Sequence, residues 1–575
     1  MIQLFRYLRP FVAGMVCVVM LVLLQSLADL GLPTMMADIV DKGIARGDIG
    51  LIWRTGGLML LVALGGTATA IVAAFMSARI SAGFGKRLRS MVFSHVEGFS
   101  LHEFDRFSVA SLITRTTNDI TQVQMVILMA LRMAVFAPMM CIGGIIMAVS
   151  MDRGLSVTLA AVLPAMGLAL AVVITRGMPL FKAMQAKLDR LNQVAREGLT
   201  GVRVIRAFNR TDLEERRFDE ASRDLTATAI RANRLMAALM PASMLVLNFT
   251  TIAIIWIGSH RVDAGSLEIG RLMAFVQYSL QILFSLIMLS VIFVMLPRAS
   301  ASAERINEVL CTDPTIRDTG SPRRPERCGG AIEFQGVTFR YPGAQQPAIR
   351  DVSFRANPGE VTAIIGGTGS GKSTLMNLIL RFYDVDSGRI LVDGVDIRHM
   401  TQQDLRAAIG LVPQKAVLFT GTVADNIRYG KPDATAEEIR QAAETAQAME
   451  FVTATKDGLD SLISQGGTNL SGGQKQRLAI ARALVRRPQI YIFDDSFSAL
   501  DYKTDAALRA ALKKETADTT VLIVAQRVST VMDADRIIVL DEGAVVGNGT
   551  HRELMKGCEV YREIVSSQLS EEEIA

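Results

Sequence analysis

Six stretches of the chain contain no Asp, Glu, Lys or Arg: residues 10–28, 55–78, 133–151, 154–175, 235–258 and 272–297. Each approaches or exceeds the roughly 20 residues that an α-helix needs to cross hydrocarbon. No comparable run follows Pro297. The pattern predicts an all-α domain of six transmembrane helices followed by a soluble half. Composition agrees: 50% of residues are hydrophobic and only 20% charged, against about 25% charged in ordinary soluble domains. A purely soluble or disordered chain is excluded. The start, with Arg6 and Arg9 but no small-residue cleavage site after the first run, reads as a short amphipathic lead-in to a retained first span.

Basic residues set the orientation. Lys and Arg concentrate at the N-terminus and in residues 79–119 and 176–234, while the alternate loops carry few. The N-terminus and the soluble half are therefore expected in the cytoplasm, with the chain in the cytoplasmic membrane. The two basic segments are too long for turns. Charged helical patterns at residues 182–196 and 212–225 suggest that the spans continue far beyond the bilayer and reverse in short turns near 101–107 and 208–218, which would touch the soluble domain. We place the transmembrane domain at 1–310, a Pro- and Gly-containing linker at 311–330 and the soluble domain at 331–575. A formal charge of +5 over 575 residues gives no reason to expect a nucleic-acid partner. Cys17, Cys141, Cys311, Cys328 and Cys558 are scattered without a CxxC pair, so neither zinc nor a disulfide framework is expected.

From Ala331 the sequence alternates short β-like runs with helical patterns, as an α/β domain does. The apolar run 361–365 ends in Gly366, Gly367, Thr368, Gly369, Ser370, Gly371, Lys372, Ser373 and Thr374. This is a complete GxxxxGK[ST] between a strand and a helix: a P-loop, whose backbone N–H groups cradle phosphates. Lys372 would reach the β and γ oxygens and Ser373 would ligate Mg²⁺, so ATP and Mg²⁺ are the expected cofactors. A second strand-like run, 489–493, with four apolar or aromatic residues after Gln489, delivers Asp494 and Asp495, and Asp494 suits the metal-binding carboxylate at a strand end. Between them, Ser471-Gly472-Gly473-Gln474 reads as a capped helix start.

Leu470 to Gln474, beside the P-loop and the carboxylate pair, resembles the signature of ATP-binding cassette (ABC) proteins. Over nearly its whole length the chain resembles a bacterial multidrug-type ABC half-exporter. The resemblance implies a dimer in which each ATP lies between the P-loop of one chain and the signature of the other. It also implies that Tyr341 stacks on adenine and that Gln414 senses Mg²⁺ and the γ-phosphate, with Asp501 belonging to the D-loop. Two positions depart from the family. Asp495 stands where the family usually has a catalytic Glu, and Gln526 where it has a switch His; Gln465, often Glu, is a smaller change. Asp is one methylene shorter than Glu, a displacement of about 1 Å that can cost on the order of a hundredfold. Gln can donate a hydrogen bond but cannot become cationic. The expectation is a site that binds Mg-ATP and hydrolyses it poorly, in one subunit of a heterodimer whose partner carries the intact groups. A homodimer is the alternative, and so are an importer of the same fold or a nucleotide-sensing membrane regulator.

The substrate is not named by the sequence. Met35, Met36, Met139, Met140, Met236, Met240, Met244, Met273, Met288 and Met295 lie in the spans, where thioethers serve packing or an adaptable cavity for amphipathic drugs, lipids or peptides. Asp29 and Arg132 fall near the membrane edges.

Overall fold

The computed structural model describes residues 2–326 and 329–568. Cys328 and the acidic tail 570–575 lie outside them. The chain forms two compact units: residues 1–97 with 109–312, and residues 98–108 with 313–575.

In the first unit, the six apolar runs lie in six long helices: Val12–Asp38, Ile49–Glu97, Ile120–Met151, Ser156–Thr200, Thr211–Asp263 and Ile269–Cys311. Among the described residues, five helical segments are long and apolar enough to cross a membrane; in the Ser156–Thr200 helix the described apolar stretch is Ser156–Leu168. The helix Thr211–Asp263 has 53 residues, roughly 80 Å at 1.5 Å per residue, far more than the ~30 Å hydrocarbon core. The charged stretches 182–196 and 212–225 are continuous with the spans, as the sequence pattern predicts.

Polar groups in this unit find partners. The buried Tyr278 hydroxyl donates to the Leu30 carbonyl at 2.6 Å and lies 2.6 Å from Thr34 Oγ1. Arg261 Nη1 meets Asp152 Oδ1 at 2.7 Å, and Arg305 pairs with the buried Asp119. Asp41 accepts the Gly270 and Arg271 amides at 2.6 and 3.1 Å, capping the last long helix. Each satisfies a group whose isolation in an apolar setting would cost several kcal/mol, about 2–7 for an unpaired neutral polar group.

The second unit holds two main sheets. Six strands run in the order Ala544–Gly549, Arg536–Asp541, Val361–Gly366, Thr520–Val524, Ile490–Asp494, Ile409–Val412. All pairings are parallel except at the Ala544–Gly549 edge. Continuous burial of the inner strands, as in Thr520–Val524, marks strands covered on both faces. An antiparallel sheet orders Ile349–Ala356, Ile332–Phe339, Ser387–Val392 and Val395–Asp396. Residues 98–108 belong to this unit although they lie between membrane helices in sequence. They form the short helix Leu101–Phe107 rather than a bare turn. Ser100 and Glu103 make its capping box.

Candidate nucleotide site

The strand Val361–Gly366 stops at a backbone that admits no side chain. A Cβ on Gly366 would lie 2.1 Å from the Leu540 carbonyl, and Gly371 sits at φ +99° with Ile349 Cδ1 and the Ala348 carbonyl within 2.8 Å of a Cβ position. Thr368 and Gly369 form the exposed crest between them. The helix Lys372–Ile379 then begins, its N-terminus open toward the loop. Lys372 Nζ donates to the Gly366 and Gly367 carbonyls at 2.9 and 2.7 Å, which pins the ammonium inside the loop. Burial holds the Lys372 pKa below the ordinary lysine value, against the opposing pull of Asp495 and Asp494. The Ser370 hydroxyl is buried without a hydrogen-bond partner among the described residues.

Two parallel strands bring the carboxylates to this loop. Asp494 ends Ile490–Asp494, and Ser373 Oγ reaches its Oδ1 at 3.4 Å. Burial, with Asp495 adding to it, raises the Asp494 pKa despite Ser373 and Lys372. Asp495 has φ +46°, a left-handed conformation that Asp tolerates better than most residues. Its amide donates to the Val524 carbonyl at 2.8 Å, and Gln414 Nε2 donates to its Oδ2 at 3.3 Å. Gln526 follows the strand Thr520–Val524 and is exposed. Its carbonyl accepts from Gln568 Nε2 at 2.8 Å.

The residues present fit a magnesium nucleotide. The loop is a backbone cradle with an orphaned buried hydroxyl and an inward ammonium. Ser373, Asp494 and Gln414 offer the hard oxygen donors that Mg²⁺ prefers. Tyr341 lies beside this loop: its hydroxyl is 3.0 Å from Thr374 Oγ1 and its ring stands edge-on to Phe339 and Tyr383.

Ser471 and Gln474 cap each other, with Ser471 N donating to Gln474 Oε1 at 2.8 Å and Gln474 N to Ser471 Oγ at 3.3 Å. They open the helix Gly472–Leu484, with Ser471 and Gly472 exposed and Gly473 and Gln474 half-buried. Asp501 caps Tyr502–Glu515 by accepting the Thr504 amide at 2.9 Å.

Sequence reasoning passes over two residues of this unit. Tyr383, partner to the Tyr341 ring, carries no local signal. Glu103 does: Ser100-x-x-Glu103 before a helix is a capping box legible in the sequence.

The ABC transporter transmembrane region family matches residues 15–286, and the ABC transporter family matches residues 349–498. An uncharacterized ABC transporter ATP-binding protein of Mycobacterium tuberculosis is 45% identical over 98% of this chain and 97% of its own length. The ATP-dependent lipid A-core flippase of Escherichia coli is 32% identical over 99% and 98%. Among solved structures, a bacterial Atm1-family ABC exporter with ATP bound superposes with a TM-score of 0.81 at 27% identity, covering 98% of this chain and 99% of that one. With its apolar helices, the chain is a multi-pass membrane protein whose ABC domain is cytoplasmic, as in its family. One membrane region followed by one ATP-binding domain, related along its whole length to ABC exporters, makes this chain a half-transporter of the ABC transporter family.

Proposed function

We propose that this chain is the weakly hydrolysing subunit of a heterodimeric ATP-driven exporter that moves amphipathic or hydrophobic compounds across the cytoplasmic membrane. Asp495 carries the reading. Its carboxylate lies beside Asp494 and within reach of Gln414, but one methylene short of the Glu usual in the family. Gln526 in place of the switch His supports it, because an amide cannot carry positive charge beside a phosphate.

Each group has a separable task. Gly366 to Thr374, Lys372 among them, would bind phosphate, while Ser373, Asp494 and Gln414 would hold Mg²⁺, which when bound would supply positive charge to offset that of the phosphates. Tyr341 packs on adenine. Asp495 is left to orient water at a distance that does not suit it. Ser471, Gly472, Gly473 and Gln474 lie on an exposed helix N-terminus, available to the nucleotide of a second chain, and Asp501 caps the helix that follows the D-loop.

The test compares ATPase activity of the purified chain with that of the co-expressed pair. The chain alone is expected to bind Mg-ATP and turn it over at least tenfold more slowly than the pair. Vigorous hydrolysis by the chain free of any partner overturns the proposal.

A further inference from the structure

The helices Val12–Asp38, Ile49–Glu97, Ile120–Met151 and Ile269–Cys311 enclose a cavity of about 470 Å³ in the membrane unit. Its wall is apolar and adaptable, with Met36, Met140, Met288, Phe136 and Phe284 prominent. A volume of this size suits a drug-sized ligand.

The polar side chains among the lining residues are Asp29, Gln277, Gln281 and Ser285. Among the described residues lining it, Asp29 is the only charged one. Gln25 is its side-chain hydrogen-bond partner, and among the described residues no Lys, Arg or His pairs with it. Gln281 donates its amide to the Asp29 carbonyl at 3.4 Å, and its Oε1 is buried and without a partner among the described residues. The Ser285 hydroxyl donates to the Ile282 carbonyl at 2.7 Å, so it has only lone pairs left to offer. A carboxylate, an orphaned amide oxygen and a committed hydroxyl give the lining an excess of acceptors, beside the Gln277 amide, which can donate or accept. An unpaired intramembrane carboxylate is costly to keep, and a short Asp side chain has little reach with which to snorkel to the headgroups. An anion would meet repulsion from Asp29 here, and a neutral apolar molecule would leave the Asp29 charge without a counter-ion and Gln281 Oε1 unsatisfied.

We propose that this cavity binds an organic cation with an apolar body, with Asp29 as its counter-ion and Gln281 Oε1 accepting any hydrogen bond the cation donates. The proposal deepens the export reading by naming the substrate class, and rests on that reading for its biological role. The cavity itself is built from this chain's residues.

The test is equilibrium dialysis of tetraphenylphosphonium and of its near-isosteric anion, tetraphenylborate, against the full-length chain in zwitterionic nanodiscs, with empty nanodiscs subtracted. Tetraphenylphosphonium should bind and tetraphenylborate should not. Asp29→Asn should weaken phosphonium binding by about tenfold or more, and Asp29→Glu should retain most of it. Mg-ATP binding by each variant reports that the chain is folded. Equal affinity for the two probes, or unchanged phosphonium binding in a folded Asp29→Asn chain, overturns the assignment. Dialysis requires neither hydrolysis nor transport, so it remains decisive if the export reading fails. Transport of some other compound without Asp29-dependent phosphonium binding would remove this proposal alone.

Discussion

Tyr383 donates its hydroxyl hydrogen bond to Asp105 at 3.2 Å, and on its other side the Tyr383 ring meets the Tyr341 ring edge-on at 5.4 Å. Tyr341 in turn touches Thr374 of the phosphate loop. A segment whose neighbours in sequence are membrane helices is thereby linked through two aromatic rings to the nucleotide site. Burial and the Asp105 carboxylate together raise the Tyr383 pKa, so the phenol stays protonated and a donor at neutral pH.

Tyr383→Phe keeps the ring against Tyr341 but removes the donor. Mg-ATP affinity is expected to stay within about twofold of the parent, while the hydrogen bond to a charged acceptor, worth about 1.5–3 kcal/mol before solvent screening, is lost. Substrate stimulation of ATPase in the co-expressed pair should fall. An equal loss of nucleotide affinity and stimulation would mean that Tyr383 serves the nucleotide site alone.

Asp495→Glu combined with Gln526→His should raise the turnover of the chain alone by between ten- and about a hundredfold, by restoring carboxylate reach and a group able to carry charge. Lys372→Ala in the same background should abolish nucleotide binding. Steady-state ATPase and nucleotide binding measure both effects, and a double variant no faster than its parent would locate the limitation elsewhere.

In the co-expressed pair, Ser471→Arg should abolish most ATPase activity, because the proposed arrangement places Ser471 on the productive nucleotide. Asp495→Asn should lower it only modestly. Equal severity of the two changes would contradict the division of labour and favour two equivalent sites.

Glu103 is buried at 2% exposure and accepts the Ser100 amide and hydroxyl, both at 2.7 Å, and the Thr315 hydroxyl at 3.0 Å. Burial alone would raise its pKa, but these hydrogen bonds outweigh it and hold the carboxyl below its usual range. A depressed folded value means that Glu103 contributes stability above its unfolded pKa of about 4.3, and that this is lost as pH falls through the folded value. Glu103→Gln should therefore destabilise the protein by about 1–3 kcal/mol at pH 7 and by progressively less below pH ~4. Thermal unfolding across that range, parent against variant, checks both the sign and the window.

Phe208 follows the short helix Val202–Ala207 and is 73% exposed. If this turn seats on a partner's ATP-binding domain, Phe208→Ala should uncouple transport from hydrolysis in the pair while leaving nucleotide binding by the chain unchanged. Normal transport by that variant would remove the docking role from this loop.

The sequence by itself determined the features whose physics is local. Apolar length located the spans, the P-loop glycines marked a backbone that must approach its ligand closely, and Ser471 with Gln474 announced a helix start. Each depends on residues within a few turns of one another. What the tertiary structure decided lies far apart in the chain. Gln414 meets Asp495 across 81 residues, Tyr383 meets Asp105 across 278, and Gln281 meets Asp29 across 252. Asp29 was legible as an unusual charge at a membrane edge, but not as the only charge facing a cavity among the described residues. Periodicity and capping fix which face of an element is apolar and where the element begins. They do not fix which faces meet, because that choice follows from packing the whole set of helices and strands at once.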